Sequence, residues 1–208
     1  MIKAVIFDID GVLLDSFEAN LIFYQNLFTK FGYGAPSREE FPKYFHRAMW
    51  DVIKAITRLE DDVEIKKLWD AGKGRDIPYP TELLTMPEGS HEVLEELSKK
   101  YLLGIVTSRV RTSVFEAPQL KKLKHLFKTA VAYEDTKEHK PDPEPLLLAA
   151  KNLNVLPREC VYVGDVENDL IAGHAAGMKV IIYSKNSVEK ADAQTTSFKE
   201  LPRLIHNL

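Results

Sequence analysis

The stretch KAVIFDIDGVLLDS, Lys3–Ser16, decides both the fold class and the position of a site in this chain. Its apolar run is uninterrupted, which is typical of a strand that is covered on both faces. The run ends in Asp8 and Asp10, whose side chains point to the same side of an extended segment. Two like charges so close destabilise a protein unless a cation lies between them or one carboxyl is protonated. The turn dipeptide Asp10–Gly11 explains the second acid but leaves Asp8 unexplained.

Four more apolar runs follow the first, and helical patterns separate them along the chain. Most of these runs are continuous rather than alternating, which indicates parallel strands joined by crossover helices. We therefore expect an α/β fold with a mostly parallel sheet. The predicted strands are 2–8, 102–108, 129–135, 160–165 and 179–184.

One segment breaks this alternation of strand and helix. Residues 17–86 carry amphipathic helical patterns and no good strand, and a proline-rich connector at 77–89 leads back from them. We predict two units: an α/β core made of 1–16 with 87–208, and an all-helical insert at 17–86.

Composition excludes several classes of protein. The chain has 208 residues, of which 45% are hydrophobic, and a formal net charge of −3. Such a weak charge gives no electrostatic reason to expect nucleic acid or an anionic membrane as a partner. The single cysteine, Cys160, excludes an internal disulfide, and the N-terminal apolar run is too short for a signal peptide or a membrane span. We expect a soluble cytoplasmic protein.

Polar side chains stand at the end of nearly every predicted strand. Ligands of open α/β sheets bind beyond the carboxyl ends of the strands, so these side chains are expected at one edge. Acids, hydroxyls and a lysine together suit a hard cation and a phosphate group. The residues at this edge are Asp8, Thr107, Ser108, Glu134, Asp135, Lys140 and Asp165.

Each of these residues also has a purely structural interpretation. Ser108 could cap a helix, although a helix N-terminus also binds anions. Lys140 could be a solvated surface lysine, although the proline after it keeps the backbone extended. Asp165 and Asp169 could be favourable charges at a helix N-terminus, but two acids with Asn168, directly after a buried strand, fit that interpretation less well.

Four segments carry a family resemblance. DIDGV (8–12), VTS (106–108), KPDP (140–143) and GDVEND (164–169) resemble, in this order, the four motifs of the haloacid dehalogenase-like phosphohydrolases. The helical insert resembles the type 1 cap of that family. Within it, the chain is most similar to the phosphoglycolate phosphatase and β-phosphoglucomutase group. The resemblance implies a Rossmann-like sheet with flanking helices and an inserted all-helical cap.

The resemblance also implies catalytic roles. Asp8 would be the nucleophile that forms an aspartyl-phosphate, and Asp10 the general acid that protonates the leaving oxygen and then activates water. The proximity of Asp8 is expected to raise the pKa of Asp10, as an acid role requires. Mg²⁺ would be held by the Asp8 side chain, the Asp10 backbone carbonyl and Asp165.

Further residues would hold the phosphoryl group. The resemblance implies that Thr107 and Lys140 bind its oxygens and that the Ser108 backbone N–H assists. Asn168 and Asp169 would lie behind them and position Lys140 or a metal-bound water.

Two arginines are expected to contact substrate. Many relatives carry asparagine after the threonine of the second motif, whereas this chain reads Thr107-Ser108-Arg109, which leaves Arg109 as an extra contact for phosphate or substrate. Arg47 lies in the cap and could bind a polar leaving group, or it could lie on an ordinary solvated helix face.

These features favour a Mg²⁺-dependent phosphatase that acts on a small phosphorylated metabolite. A sugar phosphomutase shares every core residue and stays open as the alternative, and a non-catalytic phosphate-binding regulator is a weaker one. Haloacid dehalogenases and phosphonatases do not need an acid at the position of Asp10, so its presence disfavours both chemistries.

Overall fold

Six parallel strands form one sheet. The computed structural model describes residues 1–208. The strands lie side by side in the order β3-β2-β1-β4-β5-β6, and every neighbouring pair is parallel. This confirms the predicted α/β class with a Rossmann-like sheet. The strands are β1 (Ala4–Phe7), β2 (Leu102–Val106), β3 (Phe127–Val131), β4 (Cys160–Gly164), β5 (Lys179–Tyr183) and β6 (Ala193–Thr195).

Helices cover both faces of the sheet. The eight helices are α1 (Phe17–Lys30), α2 (Met49–Thr57), α3 (Asp62–Lys73), α4 (Ser90–Ser98), α5 (Pro118–Lys122), α6 (Glu144–Asn152), α7 (Glu167–Ala175) and α8 (Leu201–His206). Val5 and Phe7 of β1 pack in the core that contains side chains of α4, α5 and α8. Ala4 and Ile6 pack in the opposite core with side chains of α6 and α7. Burial on both faces is why the first apolar run is continuous.

The helical segment after β1 has a hydrophobic core of its own. Buried side chains of α1, α2 and α3, including Phe28, Ile53 and Leu68, form one cluster with Phe41. The two connections between this segment and the sheet run side by side, because Asp15 and Thr85 exchange backbone hydrogen bonds of 2.8 and 3.3 Å. None of the eight helices is long and apolar enough to cross a membrane.

Two strands differ from the prediction. The third begins earlier and ends at Val131, and the predicted continuation through residues 133–135 is a short 3₁₀ turn. Glu134 and Asp135 therefore do not end a strand at the site; both accept hydrogen bonds from Arg111. The strand β6 was not predicted, because its three residues Ala-Gln-Thr carry no apolar run and only pair at the edge of the sheet.

Candidate active site

Asp8 stands directly beyond the carboxyl end of β1. Its backbone N–H donates to Val163 of β4 at 2.9 Å, so the sheet fixes its position. The side chain is nearly buried; one carboxylate oxygen accepts the Ile9 N–H at 2.7 Å and the other accepts the Lys140 ammonium at 2.7 Å. Burial raises the pKa of Asp8 to about 7, against the opposing attraction of Lys140.

Lys140 is held by three partners at once. Its Nζ lies 2.7 Å from Asp8, 2.8 Å from Asp169 and 2.9 Å from the Tyr162 hydroxyl, which matches the three donors of an ammonium group. Burial alone would lower the pKa of Lys140, but the Asp169 and Asp8 carboxylates outweigh it and raise the pKa well above its usual value. The ammonium therefore stays charged beside Asp8.

Asp169 positions neighbouring groups, and both of its carboxylate oxygens accept hydrogen bonds from them. One oxygen accepts from Lys140 and from the Tyr162 hydroxyl, and the other accepts the backbone N–H groups of Asp165 and Val166 at 3.0 and 3.4 Å. Burial raises the pKa of Asp169, but Lys140 and these hydrogen bonds outweigh it, so the pKa is lowered. A carboxylate saturated in this way orients Lys140 and the loop after β4 rather than binding a metal.

Sequence reasoning missed Tyr162. Its hydroxyl accepts from Lys140 and donates to Asp169 at 2.9 Å, so it links the two charged groups inside the protein. The available signal was a single polar-tipped residue in the otherwise apolar strand β4.

Asp8 and Asp165 form an acidic pair that suits a cation. Their carboxylate oxygens and one of Asp169 lie within 4.8 Å of one another. Oδ1 of Asp165 is buried without any hydrogen-bond partner, and burial followed by repulsion from Asp169 and Asp8 raises the pKa of Asp165 to about 9. A free buried carboxylate oxygen is the ligand that a hard divalent cation takes.

The backbone beside Asp165 is shaped for this close approach. Gly11 has φ +79°, and a Cβ at this position would lie 2.0 Å from Oδ2 of Asp165. Only glycine therefore lets the turn after Asp10 approach the carboxylate. The residues present fit a divalent cation at Asp8 and Asp165, next to the turn that carries the Asp10 carbonyl.

The Asp10 side chain is bound to Arg109. The Arg109 guanidinium donates from Nε and Nη2 to the two Asp10 oxygens at 2.8 and 2.7 Å, while Ser16 Oγ and, at 3.4 Å, Asn20 Nδ2 also donate to Oδ1. Burial acts to raise the pKa of Asp10, but the Arg109 charge and these hydrogen bonds outweigh it. The pKa is lowered, whereas the proximity of Asp8 was expected to raise it. In this arrangement Asp10 is an ionised carboxylate.

Arg109 is itself buried, with 8% of its side chain exposed. Besides Asp10 it donates to the Tyr79 hydroxyl at 3.2 Å, and that hydroxyl donates to Asn20 Oδ1 at 2.8 Å. Arg109 was predicted to contact phosphate or substrate, and the structure places it on Asp10, at the wall of the cavity. Tyr79 and Asn20 come from the helical segment and carry no motif, so no pattern in the sequence singles them out.

The loop after β2 carries the remaining predicted phosphate ligands. Thr107 is buried and continues the pairing of β2 with β3 through its N–H, which donates to Val131 at 3.0 Å. Its Oγ1 accepts the Arg109 N–H at 3.2 Å. Ser108 lines the cavity, as does Asn168, but Asn168 is exposed and is not a partner of Lys140.

A cavity separates these residues from the helical segment above them. Its floor includes Asp8, Asp10 and Lys140, and its roof includes His46 and Arg47. The His46 Nδ1 lies 3.5 Å from Oδ2 of Asp165, so the segment reaches the acidic pair. The Arg47 guanidinium lies 5.9 Å from the centre of the Tyr44 ring and forms no ion pair.

Known proteins are similar to this chain over most of its length. A model of the haloacid dehalogenase-like hydrolase family matches residues 5–183. The pyrophosphatase PpaX of Bacillus velezensis is 32% identical over 181 residues, which cover 86% of this chain and 81% of the relative.

Solved structures share the fold over nearly the whole chain. A haloacid dehalogenase superfamily hydrolase of subfamily IA from Geobacter sulfurreducens is 32% identical with a TM-score of 0.72, covering 98% of this chain and 96% of that one. CbbY from Rhodobacter sphaeroides, solved in complex with phosphate, is 23% identical with a TM-score of 0.83, covering 97% and 96%. At 23% identity, the similarity to CbbY is a similarity of fold.

Proposed function

Because this chain belongs to the haloacid dehalogenase-like hydrolases, we propose that it is a Mg²⁺-dependent phosphatase that hydrolyses a small phosphomonoester through an aspartyl-phosphate. The observation that carries the proposal is Asp8, a buried carboxylate held by Lys140 beside the unpartnered Asp165 oxygen. A relative that is named a pyrophosphatase and a neighbour of the same fold with bound phosphate support phosphoryl chemistry.

The proposed reaction has two steps. An Asp8 oxygen attacks phosphorus, the bond to the leaving oxygen breaks, and that oxygen takes a proton from Asp10, which has to be protonated before this step. Asp10 then removes a proton from water, which attacks the aspartyl-phosphate, releases inorganic phosphate and restores the Asp8 carboxylate. Two carboxylates with different roles divide the work of one difficult displacement.

The other predicted residues hold the transferred group. Lys140 keeps its charge because of Asp169, so it can balance phosphoryl oxygens next to the nucleophile. The Thr107 hydroxyl and the Ser108 N–H would bind the remaining oxygens. Mg²⁺ held by Asp8, Asp165 and the Asp10 carbonyl would supply positive charge to the phosphoryl group.

Release of phosphate from p-nitrophenyl phosphate tests the proposal. The wild type should release phosphate with Mg²⁺ and not with excess EDTA, and Asp8→Asn should abolish the release. Asp15→Asn is the matched control, since the same change is made seven residues on, at an exposed carboxyl outside the cavity. No release by the wild type, or full activity in Asp8→Asn, would refute a phosphatase. Conversion of a sugar phosphate to its isomer without release of phosphate would instead support the mutase.

A further inference from the structure

The Asp10 carboxylate is surrounded only by hydrogen-bond donors. Ser16 and Asn20 donate to one oxygen, and the Arg109 fork donates to both. Of these groups only the Ser16 hydroxyl could accept a hydrogen bond from a protonated Asp10, and Arg109 occupies both oxygens. To protonate a leaving oxygen, Asp10 has to part from Arg109.

Parting from Asp10 would leave Arg109 in an unfavourable position. Its guanidinium is buried, and its other contacts are the neutral Tyr79 hydroxyl and, at the limit of 3.5 Å, the Ser113 carbonyl. An uncompensated buried charge is strongly destabilising. Glu116 also lines the cavity, but it forms an ion pair of 2.5 Å with Arg75. No free carboxylate of the protein is therefore available to replace Asp10.

We propose that Arg109 recognises a second anionic group of the substrate and that this contact frees the Asp10 side chain from its two hydrogen bonds to Arg109. The proposal rests on the proposed phosphatase function and narrows its substrates to phosphate compounds with a second anion, a carboxylate or another phosphoryl group. Such a group replaces Asp10 on the Arg109 fork, with the bidentate geometry that arginine offers to both kinds of anion. A phosphate ester whose leaving group carries no charge leaves Asp10 bound to Arg109.

The cavity accommodates a second anion. Arg109 lies on the same wall as Asp10, and Arg47 contributes a further guanidinium that has no carboxylate partner. Lys73 and Arg75 also line it, but their charges are taken by Glu134 and Glu116 at 2.8 and 2.5 Å. A second anion beside the catalytic carboxylates would thus meet Arg47, which has no carboxylate partner, and Arg109, whose partner is Asp10 itself.

Two pairs of substrates measure the preference. The carboxylate pair is 2-phosphoglycolate and its neutral amide, and the phosphoryl pair is pyrophosphate and methyl phosphate. We expect the wild type to prefer the doubly anionic member of at least one pair by about 10- to 100-fold in kcat/KM. This is the factor that corresponds to the free energy of a hydrogen bond to a charged group. The pair that shows the preference identifies the anion.

Arg109→Gln should reduce this preference to within about twofold. The doubly anionic compound loses its contact with Arg109, and the compound without the second anion no longer meets an Asp10 that is bound to Arg109. Arg109→Lys keeps the charge without the fork and should retain part of the preference, even where Arg109→Gln folds poorly. Arg111→Gln is the matched control, since this neighbouring arginine pairs with Asp135 outside the cavity and should keep the wild-type ratio.

The outcomes separate this proposal from the phosphatase itself. p-Nitrophenolate departs without needing a proton, so its release in the first step, measured as a burst, reports Asp8 rather than Asp10. Turnover of p-nitrophenyl phosphate with no preference in either pair, or an equal loss on both members in Arg109→Gln, would overturn the role of Arg109 alone. Calorimetric binding of the same pairs to Asp8→Asn tests Arg109 without catalysis: equal affinities within both pairs would also overturn it.

Discussion

Gly11→Ala should have two effects that can be measured separately: backbone strain in the turn, and displacement of the Asp165 carboxylate that the turn approaches. A Cβ at this position would stand 2.0 Å from Asp165 Oδ2 and 2.6 Å from its Cγ, so the carboxylate has to move. The φ of +79° adds the ordinary cost of a left-handed alanine, about 1–2 kcal/mol. For a chain of this size the strain lowers the melting temperature by roughly 2–8 °C.

Gly177→Ala is the matched control, because Gly177 has φ +77° and no atom lies within 4 Å of the place that the alanine methyl group would take. Both variants should lose the stability that a left-handed alanine costs, and Gly11→Ala should lose at least as much as Gly177→Ala. Displacing a metal ligand should cost Mg²⁺ affinity at least as much as removing a group that orients a ligand. Gly11→Ala should therefore weaken Mg²⁺ binding by about 10-fold or more.

Isothermal titration calorimetry with Mg²⁺ and thermal unfolding in EDTA measure the two effects separately. We expect both variants to melt earlier in EDTA and only Gly11→Ala to lose Mg²⁺ affinity. If both variants bound Mg²⁺ as the wild type does, Asp165 would not be the ligand that the turn approaches.

Three further predictions concern other parts of the site. Burial and neighbouring acids raise the pKa of Asp165 to about 9, so the free energy of unfolding without metal should fall as the pH rises from about 4 to 9. Mg²⁺ binds the ionised carboxylate, so it should raise the melting temperature more at pH 8.5 than at pH 6.5. Tyr162→Phe removes a hydroxyl between Lys140 and Asp169 and should cost about 2 kcal/mol in urea unfolding. Arg47→Ala should raise KM for the best ester of a substrate panel more than for p-nitrophenyl phosphate.

Each of these predictions has an outcome that contradicts it. The Asp165 prediction fails if Mg²⁺ raises the melting temperature equally at both pH values. The hydroxyl of Tyr101 makes no side-chain hydrogen bond, so Tyr101→Phe is the control for Tyr162→Phe, and an equal effect of the two would refute the proposed link. For Arg47, a parallel rise of KM on both substrates would show that it does not contact the leaving group.

Local pattern alone determined most of the sheet. A strand buried on both faces needs a continuous apolar run, and β1, β2, β4 and β5 follow from such runs in the sequence. The sequence also determined which polar groups follow these strands, because the carboxyl ends of parallel strands share one edge. Asp8, Lys140 and Asp165 were selected on this ground and by their motifs, and the structure brings Asp8 together with Lys140 and with Asp165.

Only the tertiary structure decided how those groups are paired. Arg109 reaches Asp10 across 99 positions of the chain. It reverses the expected direction of the Asp10 pKa, because its charge and hydrogen bonds, together with those of Ser16 and Asn20, outweigh the burial that acts to raise the pKa. Tyr79 reaches Asn20 across 59 positions in the same way. Hydrogen bonds over such separations depend on how helices and strands pack. The sequence therefore determines which chemical groups lie at the edge of the sheet. The packing decides which of these groups is charged, which is bound in an ion pair and which has no hydrogen-bond partner.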